Sequence, residues 1–261
     1  MVIIVFLVCV AASTIGGICG IGGGVVIKPV LDSLHLMSVS TISFLSACTV
    51  LSMAFVSVYR SRKQLLQGGL SGTLLAIGAA LGGIAGKMLF DLLKAKLDQD
   101  ARLLLIQSVV LGVLVLGTLM YTLNKSRIRT RTVEGKYATV AVGFTLGVLS
   151  SFLGIGGGPF NLVVLHYFFS METKKATRNS LYIVLLSQLA NLAQTFLAAK
   201  VPEFQVSMLL VMASGGVLGG LFGSFAHKRL SAEQTDRLFL GLLVVILCIC
   251  VYNAFCAIQR F

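Results

Sequence analysis

Residues 17–29 read GICGIGGGVVIKP, and residues 154–161 read GIGGGPFN. Each stretch lies inside a long apolar run, roughly 1–36 and 137–170. As continuous helix, either run would be about 50 Å long at ~1.5 Å per residue. That exceeds one hydrocarbon core of about 30 Å and falls short of two crossings. Glycine weakens helices and adopts backbone angles closed to other residues. A hairpin that dips into the membrane and returns, with GIGGG at its tip, accounts for both the length and the glycines.

The rest of the chain needs lipid as its solvent. It has 261 residues, 57% hydrophobic and 11% charged, with mean hydropathy +0.96. A soluble domain carries about 25% charged residues. Six further apolar segments run roughly 40–59, 68–92, 102–124, 176–198, 205–226 and 236–258, each near the length of one membrane helix. The expected fold is all-α and polytopic, with one transmembrane domain over 1–261. The N-terminus lacks a charged n-region and a small-residue cleavage site, so it reads as a membrane segment and not a signal peptide.

The net charge of +12 would suggest nucleic acid in a soluble protein. Here the basic residues lie in short clusters between apolar segments, where they set orientation. The partners expected are the lipid bilayer and a small solute, with no nucleic acid. Cys9, Cys19, Cys48, Cys248, Cys250 and Cys256 all lie in apolar segments without a CxxC pair, and read as small buried hydrophobes.

The halves repeat. A shift of 134 places Gly20–Gly24 on Gly154–Gly158, Met37 on Met171 and Ser46 on Ser180. A shift of 137 places GAALGGIAG (78–86) on GGVLGGLFG (215–223). Small residues every fourth position let helices approach closely. Duplication of a hairpin plus three helices follows: repeat one 1–124, linker 125–136, repeat two 137–261.

Charge tests the hairpins. With both runs re-entrant, one side receives Arg60, Arg62, Lys63, Lys125, Arg127, Arg129, Arg131, Lys136, Lys174, Lys175, Arg178, Lys228, Arg229 and Arg237. The other receives Lys94, Lys96, Arg102, Lys200 and Arg260. The split is 14 against 5, where full crossings would give 10 against 9. The positive-inside rule favours hairpins, with both termini outside and the halves inverted.

Inverted repeats with broken helices at matching positions characterise secondary transporters, whose sites lie near the midplane. Each glycine turn leads into a half-helix, starting near Val25 and Pro159; proline suits a first helical turn. Exposed N–H groups and dipole ends at such starts attract anions. Gly22, Gly23, Gly24, Gly156, Gly157 and Gly158 are therefore expected to present backbone donors to a small anion. The bland alternative is that they only allow tight packing.

Lys28, one turn beyond Gly24, either offsets the anion's charge or snorkels to the surface. Its counterpart is Leu162, and Asn161 is a neutral donor beside it. Gln188, Asn191 and Gln194 recur every third residue and either line the path or glue helices together. Ser43, Ser46, Thr49 and Ser52 recur likewise, and most are expected to bond their own backbone. Asp32 lies well inside a segment and His166 at the equivalent place, which leaves proton or ion coupling open. No Walker motif, HExxH or GxSxG appears, and His35, His166 and His227 form no convincing set. The chain is read as no enzyme and without a cofactor.

Paired GxGGG hairpins, the opening Lys175-Ala176-Thr177-Arg178-Asn179-Ser180 and the paired GxxxGxxxG segments resemble the TauE/SafE sulfite exporter family over nearly the whole chain. The resemblance implies a carrier of small sulfur-containing anions such as sulfite, thiosulfate or sulfonates. On the reading of the residues themselves, Asn161, Asn179 and Ser180 are expected to orient the anion. The chain departs from the family at Arg178-Asn179-Ser180, where members usually read Gly-Thr-Ser. The reading is a secondary transporter working by alternating access in the plasma membrane; an anion channel or a membrane-embedded enzyme is the alternative.

Overall fold

A computed structural model describes residues 2–34, 37–65, 70–97, 100–125, 127–133 and 135–259. His35 and Arg260, weighed above, lie outside the described residues. Among these residues the fold is all-helical, with one isolated bridge between Thr132 and Phe169. The first half comprises α1 (Val2–Cys19), α2 (Gly24–Leu34), α3 (Val39–Leu65), α4 (Leu70–Leu97) and α5 (Asp100–Leu123). The second comprises α6 (Lys136–Phe152), α7 (Pro159–Phe169), α8 (Thr173–Leu197), α9 (Val206–Arg229) and α10 (Ala232–Ile258). Among the described residues, seven helices are long and apolar enough to cross a membrane: α1, α3, α4, α5, α8, α9 and α10.

Both long runs break where the glycines stand. α1 ends at Cys19 and α2 begins at Gly24; α6 ends at Phe152 and α7 begins at Pro159. Gly20 and Gly22 have φ of 76° and 75°, and Gly154 and Gly156 have 66° and 72°. The left-handed residues thus fall at matching places in the two turns, where a side chain would be strained. Gly23 and Gly157 do not share that conformation; close packing, described below, is what requires glycine there.

The hairpins return to the face on which they start. α1 lies parallel to α9, with Gly215 on Cys9 and Gly223 on Thr14 and Gly17. The start of α3, which follows α2, meets the link before α9, where Thr41 donates to the Glu203 carbonyl at 3.0 Å. On the opposite face, Lys125 reaches Thr173 and Asp236, and the Arg131 and Val133 amides bond the Tyr167 and Phe168 carbonyls. That face gathers the ends of α5, α7 and α9 and the starts of α6, α8 and α10. It is called the basic face below.

Helix pairing recurs between the halves. α1 packs along α9 as α6 packs along α4, and α3 along α9 as α8 along α4. The small-residue rows make these contacts. A Cβ on Gly78, Gly82 or Gly86 would run into the α6 backbone at Val140, Phe144 or Val148. One on Gly215 would meet Cys9, and one on Gly219 or Gly223 the α1 backbone. Where no side chain intervenes, backbones approach closely and gain dispersion contacts that lipid cannot match.

Candidate functional site

The two turns meet at the centre of the bundle. A Cβ on Gly157 would stand 2.8 Å from the Ile21 carbonyl oxygen, and one on Gly24 would collide with the Ile155 carbonyl. A Cβ on Gly22 would lie 3.4 Å from Val50, 3.7 Å from Val184 and 3.8 Å from the Gly157 Cα. Val50 of α3 and Val184 of α8 are equivalent under the 134-residue shift, so the contact centre is built from matched positions. Gly23 backs onto Ser13, whose Oγ would be 2.9 Å from an added Cβ. Gly158 precedes α7 in extended conformation, with the Phe160 ring where its side chain would be. Among the described residues, no backbone carbonyl accepts from the Gly22, Gly23, Gly156, Gly157 or Gly158 amide.

A cavity of about 350 Å³ opens on the less basic face and reaches toward this centre. Its mouth carries Lys87, Lys94, Lys200 and Asp91. Lys87 pairs with Asp91 at 2.8 Å and lies 4.8 Å from the Phe90 ring centre, Lys200 approaches Asp91 at 3.7 Å, and Lys94 donates to Ser40. Three ammonium groups against one carboxylate leave the mouth positive, which raises the local concentration of anions. The inner lining includes Ser43, Ser151, Gly154 and Asn191. The Ser43 and Ser151 hydroxyl oxygens are buried without hydrogen-bond partners among the described residues. Beyond them is Gln188, fully buried, with neither amide atom partnered and its amide carbon 3.2 Å from where a Gly156 Cβ would be. Unpaired buried polar groups cost free energy, so an inward row of them marks a polar path.

The basic face carries a recess of about 30 Å³, lined by Gly17, Ser57, Arg60, Ser61, Thr177, Arg178, Leu181, Ser224, His227 and Lys228. It is the counterpart of the large cavity. The 134-residue shift carries Ser43, Ala47, Ser57 and Ser61 onto Thr177, Leu181, Asn191 and Thr195, and Gly17 onto Ser151. The 137-residue shift carries Lys87, Phe90 and Asp91 onto Ser224, His227 and Lys228. In every one of these pairs, one member lines the cavity and the other the recess. Arg178, at the departure from the family pattern, lines the small one.

Lys28 has a partner the sequence reading did not assign. Its Nζ donates to Asp32 at 2.7 Å and to the Gln107 Oε1 at 2.9 Å, and Gln107 donates in turn to the Phe152 carbonyl at 2.7 Å. The lysine and aspartate side chains are both 3% exposed, so the pair is sealed from water. The space beside it is about 10 Å³, enough for a single water. The Lys28 stem passes behind Gly154, its Cε 3.1 Å from a Cβ built there.

Asn161 is 1% exposed, and its Oδ1 is without a partner among the described residues. Ser180 is fully buried, its Oγ without a partner among the described residues, on α8 between Thr177 and Val184, which touch the first turn. Asn179 is placed elsewhere: it donates to the Lys175 carbonyl and faces Gly72 of α4. Thr49 and Ser52 bond their own helix, as expected, whereas Ser43 and Ser46 do not. His166 accepts from or donates to the Tyr121 hydroxyl at 2.9 Å. The vestibule cation Lys87 and the hydroxyl of Ser151 were not singled out from sequence; small and charged residues facing one groove become visible only once α4, α6 and α8 are packed.

Paired glycine-turn hairpins in a polytopic bundle, with a cationic vestibule ending on them, define a membrane transporter. The chain belongs to the TauE/SafE sulfite exporter family: the family described as "Sulfite exporter TauE/SafE" matches residues 5–249. It is 22% identical over 274 residues to the "Probable membrane transporter protein YunE" of Bacillus subtilis (strain 168), covering 93% of this chain and 94% of that protein. No solved structure matches it.

Proposed function

We propose that this protein is a secondary carrier of small sulfur-containing anions, such as sulfite, thiosulfate or sulfonates. It works by alternating access between the two vestibules. One observation carries the reading: a large cavity and a small recess are lined by equivalent residues of the two halves. Read as inverted repeats, the halves can exchange these shapes, opening one vestibule as the other closes. The large cavity is then the open one, and the Gly17–Thr177–Leu181 side the closed one. The anion would rest against the glycine turns, Gly22–Gly24 and Gly156–Gly158, with Gln188, Asn161 and Ser180 as neutral donors. Lys28 supports this site from behind Gly154 as a positioning residue.

The charge split supports a reading in which the basic face lies in the cytoplasm of a plasma-membrane protein, with both termini outside. Purified protein in proteoliposomes loaded with sulfite or methanesulfonate should show saturable uptake accelerated by the internal anion. Imposed proton and sodium gradients in the same vesicles read ion coupling. Conductance that neither saturates nor exchanges would assign the protein to the channels.

A further inference from the structure

We infer that His166 is a proton-binding site of this carrier, linked through α7 to the anion site, so that an anion and a proton bind together. The inference rests on the proposed place of the anion at the glycine turns and adds a co-ion to it.

The observation is an unequal pair of hairpins. The 134-residue shift places Lys28 on Leu162 and Asp32 on His166. In the first hairpin the lysine and the aspartate are sealed from water and balance each other at 2.7 Å. In the second hairpin neither remains. The place of the aspartate is taken by the side chain whose ordinary titration falls between pH 5 and 8. His166 is half-buried and lines a recess of about 30 Å³ on the basic face. A proton can therefore reach it without crossing the contact of the turns.

The surroundings suit a change of charge. Among the described residues, the titratable and charged groups lining the recess with His166 are Tyr121 and Lys125 of α5 and Asp236 of α10, while α8 contributes Thr173 and Ala176. Tyr167, next in sequence, sets its ring edge-on to Tyr121. Lys125 and Asp236 pair at 3.2 Å, and Thr173 bridges them, so their charges cancel. The Tyr121 hydroxyl lies 2.9 Å from the His166 Nδ1. A phenol donates to a neutral ring nitrogen and accepts from a protonated one, so this contact holds in both charge states. His227 is placed differently. It shares its recess with Arg60, Arg178 and Lys228, where a further positive charge is repelled.

α7 connects the proton to the anion. It begins at Pro159, beside the second glycine turn, and reaches His166 seven residues later, about 10 Å along the helix. An anion at that helix start would lie about 12 Å from an imidazolium. At an effective dielectric near 20, such an attraction changes affinity about tenfold. Linkage is reciprocal, so the bound anion draws the proton on to His166 by the same factor.

The test uses the full chain in weakly buffered detergent solution with a pH indicator. The probes are methanesulfonate and thiosulfate, neither of which takes up a proton between pH 5 and 8. Affinity should rise roughly tenfold as pH falls through that range, and binding near the midpoint should draw a fraction of a proton per anion from solution. His166→Gln should bind with the weaker, pH-independent affinity and draw none. The variant His35→Gln/His227→Gln, in which His166 is the remaining histidine, should keep the proton uptake, and it assigns the site even if His166→Gln fails to fold. Affinity that does not change with pH, or proton uptake that is lost in the double variant or persists in His166→Gln, overturns this inference and leaves the carrier standing. Binding of neither probe at any pH overturns both.

Discussion

The carbonyl oxygen of Ile21 faces Gly157 so closely that a Cβ on the glycine would stand 2.8 Å from it, and a Val184 methyl would be 2.5 Å away. The tip of each hairpin is thus a backbone surface sealed against the other. Gly157→Ala is expected to wedge the turns apart. Overpacking of this kind costs about 1–3 kcal/mol, and the barrier between the vestibules is made of these contacts. Transport should fall severely in protein that still elutes as a single species, with a lower melting temperature. Gly241, which has no atom within 4 Å of an added Cβ, supplies the control: Gly241→Ala should leave both readings near wild type.

The Lys28–Asp32 pair makes a second prediction with opposite signs for single and double changes. Lys28→Met leaves the Asp32 carboxylate buried without its lysine. Breaking one side of a buried pair costs about 3–5 kcal/mol, whereas replacing both sides with apolar groups is near neutral. Thermal unfolding in detergent should show Lys28→Met strongly destabilised and Lys28→Met/Asp32→Leu largely recovered. A stable single variant would mean that the aspartate is compensated by other groups.

Much of this was legible in the sequence. The two hairpins follow from run length, GIGGG and the charge split, and the close helix pairs follow from GxxxGxxxG. Asp32 lies four residues after Lys28, a spacing that faces side chains across one helical turn; that pairing was readable, but Gln107 lies 79 positions away and was not. The vestibule was hidden because Lys94 and Lys200 read as orientation charges in links. Only the packing of α4 beside α8 turns them, with Lys87, toward one cavity. Asn179 illustrates the reverse error of proximity: next to Ser180 in sequence, it points along another face, toward Gly72.

The vestibule cations should act on capture more than on passage. Lys200, 59% exposed at its side chain, sits at the mouth and, among the described residues, is paired with Asp91 at 3.7 Å. Lys200→Gln should raise KM for the anion several-fold at low ionic strength with little change in maximal rate. The effect should fade near 0.15 M salt, where the screening length is about 8 Å. Asp91→Asn removes the carboxylate that faces the three lysines among the described residues of the mouth and should shift KM the other way. A salt-independent effect on maximal rate would place these residues in the transport step itself.

Alternating access makes the sharpest demand. Ser43 and Thr177 are equivalent residues, one lining the open cavity and the other the closed recess. In a cysteine-free background, Ser43→Cys should react with a membrane-impermeant thiol reagent from the less basic face, and Thr177→Cys should be protected. Conditions that favour the opposite state, such as substrate supplied only from the open side, should lower the first rate and raise the second together. That reciprocity follows from one barrier being exchanged for the other around the Val50–Val184 contact. A channel has no such exchange: ligand would change both rates in the same sense, or neither. Parallel changes at the two positions would therefore sink the carrier mechanism, even with the topology and the anion preference intact.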